Sequence, residues 1–482
     1  MDLNNPRRPR DNVVRQPRVA ELMPTLAEPV PERHPHRIFT TPFLLAFGFI
    51  ALMVVGGLLL ALPVASTSGQ FTSLDISFFT ATSAVTVTGH VATKVDTLTY
   101  WSVFGQAVIF FLMLIGGLGF MAAATFVLLL LGQRSSLPER LVMRDTMGVD
   151  YMGGLRRVTR NIVLVVFLIY LVGAALIFSR LDINLVGDME FSERVWQSVF
   201  LSVSAFNNAG FSILPQEAAR ELGFAPLLLG YMMVLIIVGG VGWTVLVDLY
   251  RNHRFARLSL DTKLVIVTSL FLWALGAGVF FLAEFTNALT IDTENYSLGD
   301  KMLSSAFHSV SGRTAGFATV DFSQAEEFTK LTYPALMFIG GASGSVAGGI
   351  KVNTFAVIIA AVISSVRGRP QAEAFGREIA HFQVLRALTV GVLGVGFIIV
   401  VIPTLTLTEP DIPFLDLLFD MVSAFSTNGT STGIVPDLSL AGKSIFMVAM
   451  LVGRLGPIIL ALALAPQEQT VYRFVQERVK IG

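Results

Sequence analysis

Runs of about 20 or more apolar residues recur from Thr41 almost to the C-terminus, and each is long enough to carry a helix across roughly 30 Å of hydrocarbon. Backbone inside hydrocarbon must satisfy its own hydrogen bonds. The chain is therefore confined to helices, with irregular backbone only where it lines water or is buried in protein. Eight spans are expected, at 41–62, 101–131, 157–179, 224–249, 262–285, 331–365 with an interruption, 385–407 and 444–465. A content of 53% hydrophobic and 14% charged residues leaves too little polar surface for a globule in water.

The formal net charge of zero conceals a sorted distribution. If the spans alternate direction, the N-terminal tail, 132–160, 250–263, 366–386 and the C-terminal tail share one side. Together they hold 24 of the 34 Lys and Arg, which places them in the cytoplasm with both termini. The opposite loops carry Asp188, Glu190, Glu193, Glu284, Asp292, Glu294, Glu326, Glu327, Glu409 and Asp411, an acidic mouth that gathers cations. The Pro- and Arg-rich tail 1–40 is expected to be disordered or to lie on anionic lipid. Absence of cysteine excludes disulfides, thiolate metal sites and a cysteine nucleophile. The histidines have no i,i+4 ligand set, and no Ser/His or Asp/Asp constellation within the spans suits an intramembrane enzyme. Nothing suggests nucleic-acid binding or a tightly bound cofactor.

One short string occurs four times: Ser83-Ala-Val-Thr-Val-Thr-Gly89, Ser204-Ala-Phe-Asn-Asn-Ala-Gly210, Val310-Ser-Gly-Arg-Thr-Ala-Gly316 and Ser423-Ala-Phe-Ser-Thr-Asn-Gly429. The terminal glycines are 121, 106 and 113 residues apart, a period that fits one pair of spans per copy. Each string follows a segment too short to span: Leu74 to Val85, Glu193 to Phe206, Gly299 to Val310 and Ile412 to Phe425. These read as pore helices whose starts carry caps or acids (Ser73 with Asp75, Ser192 with Glu193, Ser297 with Asp300, Asp411 before Pro413). Their negative dipole ends then point into the membrane, where they stabilise a cation. A re-entrant string is costly unless it encloses something. A ring of carbonyls can replace the hydration shell of an ion, and glycine permits the φ > 0 turn that aims them. The alternative for any one string is a small-residue packing motif between helices. The fold expected is an all-α polytopic membrane protein of four helix–pore loop–helix pseudo-repeats around one central pore, with eight transmembrane spans and four re-entrant loops. The repeats cover 41–131, 157–249, 262–365 and 385–465, flanked by cytoplasmic tails 1–40 and 466–482.

The four strings, with Gly340-Gly-Ala-Ser-Gly-Ser-Val-Ala-Gly-Gly-Ile-Lys351 and Gly453-Arg-Leu-Gly-Pro457, resemble the TrkH/KtrB/HKT superfamily of K⁺ transporters over about residues 41–465. The lack of extra spans before the first repeat makes the chain more similar to the KtrB branch. That resemblance implies K⁺ uptake across the plasma membrane, with Na⁺ as a candidate coupling ion. It also implies a homodimer with one pore per subunit, and a separate cytosolic RCK subunit that binds ATP/ADP or a dinucleotide. Carried over by position, the filter comprises Val87, Thr88 and Gly89; Asn208, Ala209 and Gly210; Thr314, Ala315 and Gly316; and Thr427, Asn428 and Gly429. The carbonyls of the two residues before each glycine would hold the ion. The adjacent amides of Asn207 and Asn208 leave the preference between K⁺ and Na⁺ open.

The small residues of 340–351, among them Gly340, Gly341, Gly344, Gly348 and Gly349, cannot sustain a helix and interrupt the sixth span. They read as a gating loop under the filter with Lys351 beside it, or else as a packing hinge. Gly349-Ile350-Lys351 is followed by Val352, so the stretch is not a phosphate-binding loop. Arg454, costly inside the last span, is expected to bond loop carbonyls of 340–349 or an acid across the pore, or to tie helices together. Arg313 would block cations if it faced the axis, so it is expected to point behind the filter. His90 is read as an exposed mouth residue, with a charge gained near about pH 6 as the functional alternative. A competing class is a secondary solute carrier, whose broken helices come in inverted repeats; an even number of spans per copy favours one shared orientation.

Overall fold

The computed structural model describes residues 41–118, 155–181, 189–214, 225–291 and 296–456. Outside the described residues lie both tails, most of the basic segment 132–160, the ends of the spans expected at 101–131 and 444–465, and Asp188, Asp292 and Glu294.

The chain runs through α1 (Thr41–Ala61), α2 (Leu74–Thr86), α3 (Val103–Leu118), α4 (Leu155–Phe178), α5 (Phe191–Asn207), α6 (Pro226–Val241), α7 (Trp243–Arg251) and α8 (Leu260–Glu284). It continues with α9 (Leu298–Thr314), α10 (Glu327–Met337), α11 (Val352–Val366), the two-residue strands β1 (Glu373–Ala374) and β2 (Arg377–Glu378), α12 (His381–Thr408), α13 (Phe414–Ser426) and α14 (Leu440–Leu455). The strands form an antiparallel hairpin turned at Phe375 and Gly376, both at positive φ. Arg160–Phe178, Leu260–Glu284 and His381–Thr408 are long and apolar enough to cross a bilayer.

The span expected as continuous over 224–249 is instead two helices, α6 and α7, bent by 96°. The break falls at Gly242, whose φ of 87° suits only glycine, and whose missing side chain leaves room for the carbonyl of Ser343. Expected caps also differ. Only Ser297 caps its short helix, in a reciprocal box with Asp300. Helices α2, α5 and α13 begin without a side-chain cap and instead carry Asp75, Glu193 and Asp416 in the first turn, against the positive helix end. Ser192 lies inside α5, and Asp411 precedes the Pro413 N-cap.

Apolar residues cover the outside of the molecule as well as its interior. Leu164, Phe167, Leu168 and Leu171 form an exposed stripe at helical spacing on α4, and Val392, Val395 and Ile399 do so on α12. Ser, Thr and Asn are buried along the short helices α2, α5, α9 and α13. Such a surface matches lipid, and the polar groups face protein.

Each short helix packs against the helix before it and the helix after it. The helix after it also packs on the next short helix, in the order α3 on α5, α6 on α9, α10 on α13 and α14 back on α2. The circuit closes. The fourth residue of the inner helix marks each seam: Gln106 accepts from Trp196 Nε1 at 2.9 Å, Leu229 is buried apolar, Lys330 pairs with Asp416 at 3.0 Å and Lys443 with Asp75 at 2.7 Å. Two seams, α10 on α13 and α14 on α2, thus carry ion pairs at the start of the short helix.

Buried carboxylates tie the acidic loops. Glu284, ending α8, accepts from Asn287 Nδ2 and Thr290 Oγ1 at 2.8 Å each, from Glu326 N at 3.0 Å and from Thr329 Oγ1. Glu409, just past α12, likewise accepts from Ser439 N and Oγ at the start of α14. Replacing Glu284 by Ala removes the acceptor of Glu326 N and Thr329 Oγ1, while Asn287 Nδ2 keeps Gln324 O and Thr290 Oγ1 keeps Asn287 O. A stability loss on the order of 3 kcal/mol is expected, read as a lower melting midpoint in detergent; an unchanged midpoint would show the cluster to be dispensable.

Candidate functional site

The four strings meet in one ring. Helices α2, α5 and α13 end with Val87, Asn208 and Thr427 in the left-handed region, at φ 59°, 56° and 50°. The following amides Thr88 N, Ala209 N and Asn428 N turn back to the carbonyls of Ser83, Ser204 and Ser423 at 2.8–2.9 Å. That is the Schellman pattern. The serine hydroxyl adds a second tie: Ser83 and Ser423 Oγ accept from Gly89 N and Gly429 N, each at 3.0 Å. A β-branched residue at positive φ is strained by roughly 1–3 kcal/mol, and such strain persists only where the surroundings impose it.

The third string departs from this pattern. Thr314 stays helical, and both Ala315 N and Gly316 N return to Ser311 O. Its opening, Val310-Ser-Gly312, differs from the other three as well.

Gly89, Gly210, Gly316 and Gly429 all have positive φ, between 70° and 94°. A Cβ on Gly89 would strike Ala209 O, on Gly210 Ala315 O, on Gly316 Asn428 O and on Gly429 Thr88 O. Each glycine therefore faces the carbonyl of the next string, and the fourth faces the first. No side chain could be inserted without opening the ring.

The asparagine side chains of the strings are turned away into the protein. Asn207 Oδ1 accepts from Tyr170 OH at 2.8 Å, and its amide donates to Met113 O. Asn208 Oδ1 accepts from Thr314 Oγ1 at 2.9 Å, linking strings two and three. Asn428 Nδ2 donates to Ser311 O at 3.1 Å, linking strings four and three. Both amides of the second string are committed to protein partners, so neither is free to line the ring. The four short helices end at this ring, so their negative dipole ends surround it. Arg313 points behind: buried over the Trp273 ring, it donates to Gly340 O at 2.8 Å and Ile339 O at 3.3 Å.

His90 corrects its reading as an exposed mouth residue. It is fully buried, edge-on to Phe446 of α14 at 6.0 Å. The chain leaving Gly89 turns back into the apolar contact between α13 and α14, where Ala92 also packs, rather than out into the loop.

Between α10 and α11 residues 338–351 form an irregular loop against the ring. Gly348 lies against the Thr427 side chain and Gly349 against Ser426; a Cβ at Gly340 would strike Gly348 O, and Gly341 sits against Ala347 and Gly240. Gly344 has φ 73°. The loop is tied to α6 by Ala342 N to Gly240 O at 2.9 Å and Val346 N to Gly239 O at 3.3 Å. Lys351 Nζ folds back to Ala347 O. Arg454 Nη1 donates to Val346 O and Nη2 to Gly116 O of α3, so one guanidinium joins α14, the loop and α3. The structure thus gathers the loop glycines, Lys351 and Arg454 on one side of the ring.

Three further glycines pack directly against the strings. Gly116, Gly239 and Gly453 pack where a Cβ would collide with Val85 O, Phe206 O and Phe425 O, the third residue of their own string. They lie 27, 29 and 24 residues after the string glycine, a spacing readable in the sequence once the strings are aligned. Gly340 occupies the corresponding place after Gly316, at the broken helix.

The chain matches the family model described as "TrkH: Cation transport protein" over residues 48–473. It is 39% identical to Ktr system potassium uptake protein B of Bacillus subtilis over 444 residues, 92% of this chain and 97% of that protein. It is 34% identical to Ktr system potassium uptake protein B of Vibrio alginolyticus, covering 92% and 95%. Against the potassium/sodium uptake protein NtpJ of Enterococcus hirae it is 33% identical, covering 91% and 96%. The crystal structure of the potassium transporter TrkH from Vibrio parahaemolyticus shares the fold, with a TM-score of 0.67 at 18% identity over 90% of this chain and 86% of that one. By this match along almost its whole length, the chain belongs to the TrkH family of cation transport proteins.

Proposed function

We propose that this protein takes up K⁺ across the plasma membrane through a single pore formed by four helix–pore loop–helix repeats. The observation that carries the reading is the closed circuit in which each string glycine faces the carbonyl before the next glycine. Such a ring offers Thr88, Ala209, Ala315 and Asn428 carbonyls to a dehydrated ion, with Val87, Asn208, Thr314 and Thr427 supplying the layer behind. Relatives named for potassium uptake support K⁺ as the transported ion, and the relative named for potassium and sodium supports Na⁺ as a coupling or activating ion. The basic segments lie in the cytoplasm with both termini.

In this reading the loop 338–351 occludes the passage beneath the ring, and Arg454 holds it there. Opening requires the loop to leave Val346–Arg454 contact. Naming of the relatives as parts of a Ktr system supports a separate regulatory subunit; we assign it as a cytosolic RCK protein binding ATP/ADP or a dinucleotide, acting on a homodimer of this chain. A secondary carrier would need inverted halves, whereas all four short helices here run toward one ring in the same sense, which favours the pore.

The test is expression in bacteria that lack K⁺ uptake, together with a matched regulatory subunit, and measurement of growth on low K⁺ and of Rb⁺ uptake with and without Na⁺. Restored growth with Rb⁺ uptake is expected. Correct membrane insertion without either would sink the assignment.

A further inference from the structure

Three helices tie the loop 338–351 from within the membrane core: α6 through the carbonyls of Gly239 and Gly240, α14 through Arg454 and α9 through Arg313. A fourth tie reaches the surface. Ser343 N donates to Asn353 Oδ1 at 2.8 Å, and Asn353 Nδ2 donates in turn to Asp261 Oδ1. Asn353 is the second residue of α11 and is buried, whereas Asp261 is exposed in the first turn of α8. Asparagine suits this place because its amide accepts from the loop and donates to a carboxylate at once; aspartate or leucine there could not do both.

Asp261 stands on a built corner rather than a free strand. Asp248 of α7 accepts from Ser259 N at 2.9 Å and from Asn252 Nδ2 at 2.8 Å, and Ser259 caps α8 through Thr262 N. Lys263 Nζ closes the same turn on Ala256 O at 3.2 Å. The other end of α7 is the break at Gly242, which abuts Ser343 and Gly344 of the loop. Surface corner and loop are therefore joined twice, through α7 and through the Asp261–Asn353 pair.

We propose that Asp261 and Asn353 are positioning residues for transport: they hold the loop beneath the ring and carry a displacement of the α7–α8 corner to it. The proposal rests on the gating reading of the loop. A force on the basic face reaches Ser343 through two hydrogen bonds, without passing through the ring.

The chain has no cysteine, so a single Ser345→Cys substitution gives a reporter of loop position through its rate of modification by a charged thiol reagent. In that background Asn353→Asp sets a carboxylate against Asp261 and removes the donor. Modification is expected to quicken by about tenfold, the equivalent of one charge-assisted hydrogen bond, with a rise in basal Rb⁺ uptake. Adding Asp261→Asn restores a bond of reversed polarity and should return both readouts to those of the parent. Asp261→Ala, an exposed change that leaves the core alone, should quicken modification without the double variant's recovery. An unaltered rate in Asn353→Asp and Asp261→Ala, or a double variant that stays fast while monodisperse, overturns the tether. If modification quickens and uptake does not change, the gating reading fails and with it the transport role of the pair; if modification is unaltered but Arg454→Gln still raises uptake, gating stands and the tether alone is lost.

Discussion

Gly429→Ala is expected to cut Rb⁺ uptake by about 100-fold while leaving the protein inserted and monodisperse. Gly429 has φ 93°, and a Cβ there would strike the carbonyl of Thr88, one member of the ring. An alanine in that conformation is strained by about 1–2 kcal/mol before any collision is counted. With the displaced carbonyl the disturbance reaches about 3 kcal/mol at the ion, or about a 100-fold loss at roughly 1.4 kcal/mol per factor of ten. The circuit makes the same demand at Gly89, Gly210 and Gly316, so alanine at any of the four should act alike. Gly230→Ala supplies the control. Gly230 has open space around it and lies on α6 away from the strings, so uptake should be unchanged. Near-normal uptake by Gly429→Ala would remove the ring from the conduction path.

Arg454→Gln is expected to raise basal uptake by about tenfold or more when the regulatory subunit is absent. The guanidinium bonds Val346 O of the loop and Gly116 O of α3, and each charge-assisted bond contributes about 1.5–3 kcal/mol. Losing one of them moves a two-state loop by about 10- to 100-fold toward the displaced form. Glutamine can reach one carbonyl but cannot fork between two. Arg454→Lys, a point charge without the planar fork, should fall between the parent and Gln. Equal or lower uptake in Arg454→Gln, with normal insertion, would assign the residue to helix packing alone.

Much of the site was legible because it is repeated. Four glycines at one period identified the strings, and the short segments before them located α2, α5, α9 and α13 to within a few residues. Composition was enough for the break at 338–351, since five glycines in the ten residues 340–349 disfavour a helix. The bend at Gly242 escaped because Gly239-Gly-Val-Gly242 is an ordinary small-residue pattern in a membrane helix, and only its contact with Ser343 makes the kink necessary. His90 was misplaced for a related reason. Adjacency to Gly89 says that it leaves the ring, but whether it leaves toward water or toward Phe446 depends on α14, more than 300 residues away in sequence.

Apolar length, charge sorting and the period of the strings are local or additive properties, and the sequence by itself determined from them a membrane-spanning helical chain with four related turns on one side. The partners across the turns are not additive. Which carbonyl faces which glycine, that the amides of Asn207 and Asn208 turn away from the ring, and that Arg454, Arg313 and Asn353 converge on one loop were decided only by tertiary structure. The physical reason is that a buried donor or acceptor must find its partner wherever the packed helices bring one, and those partners lie tens to hundreds of residues apart.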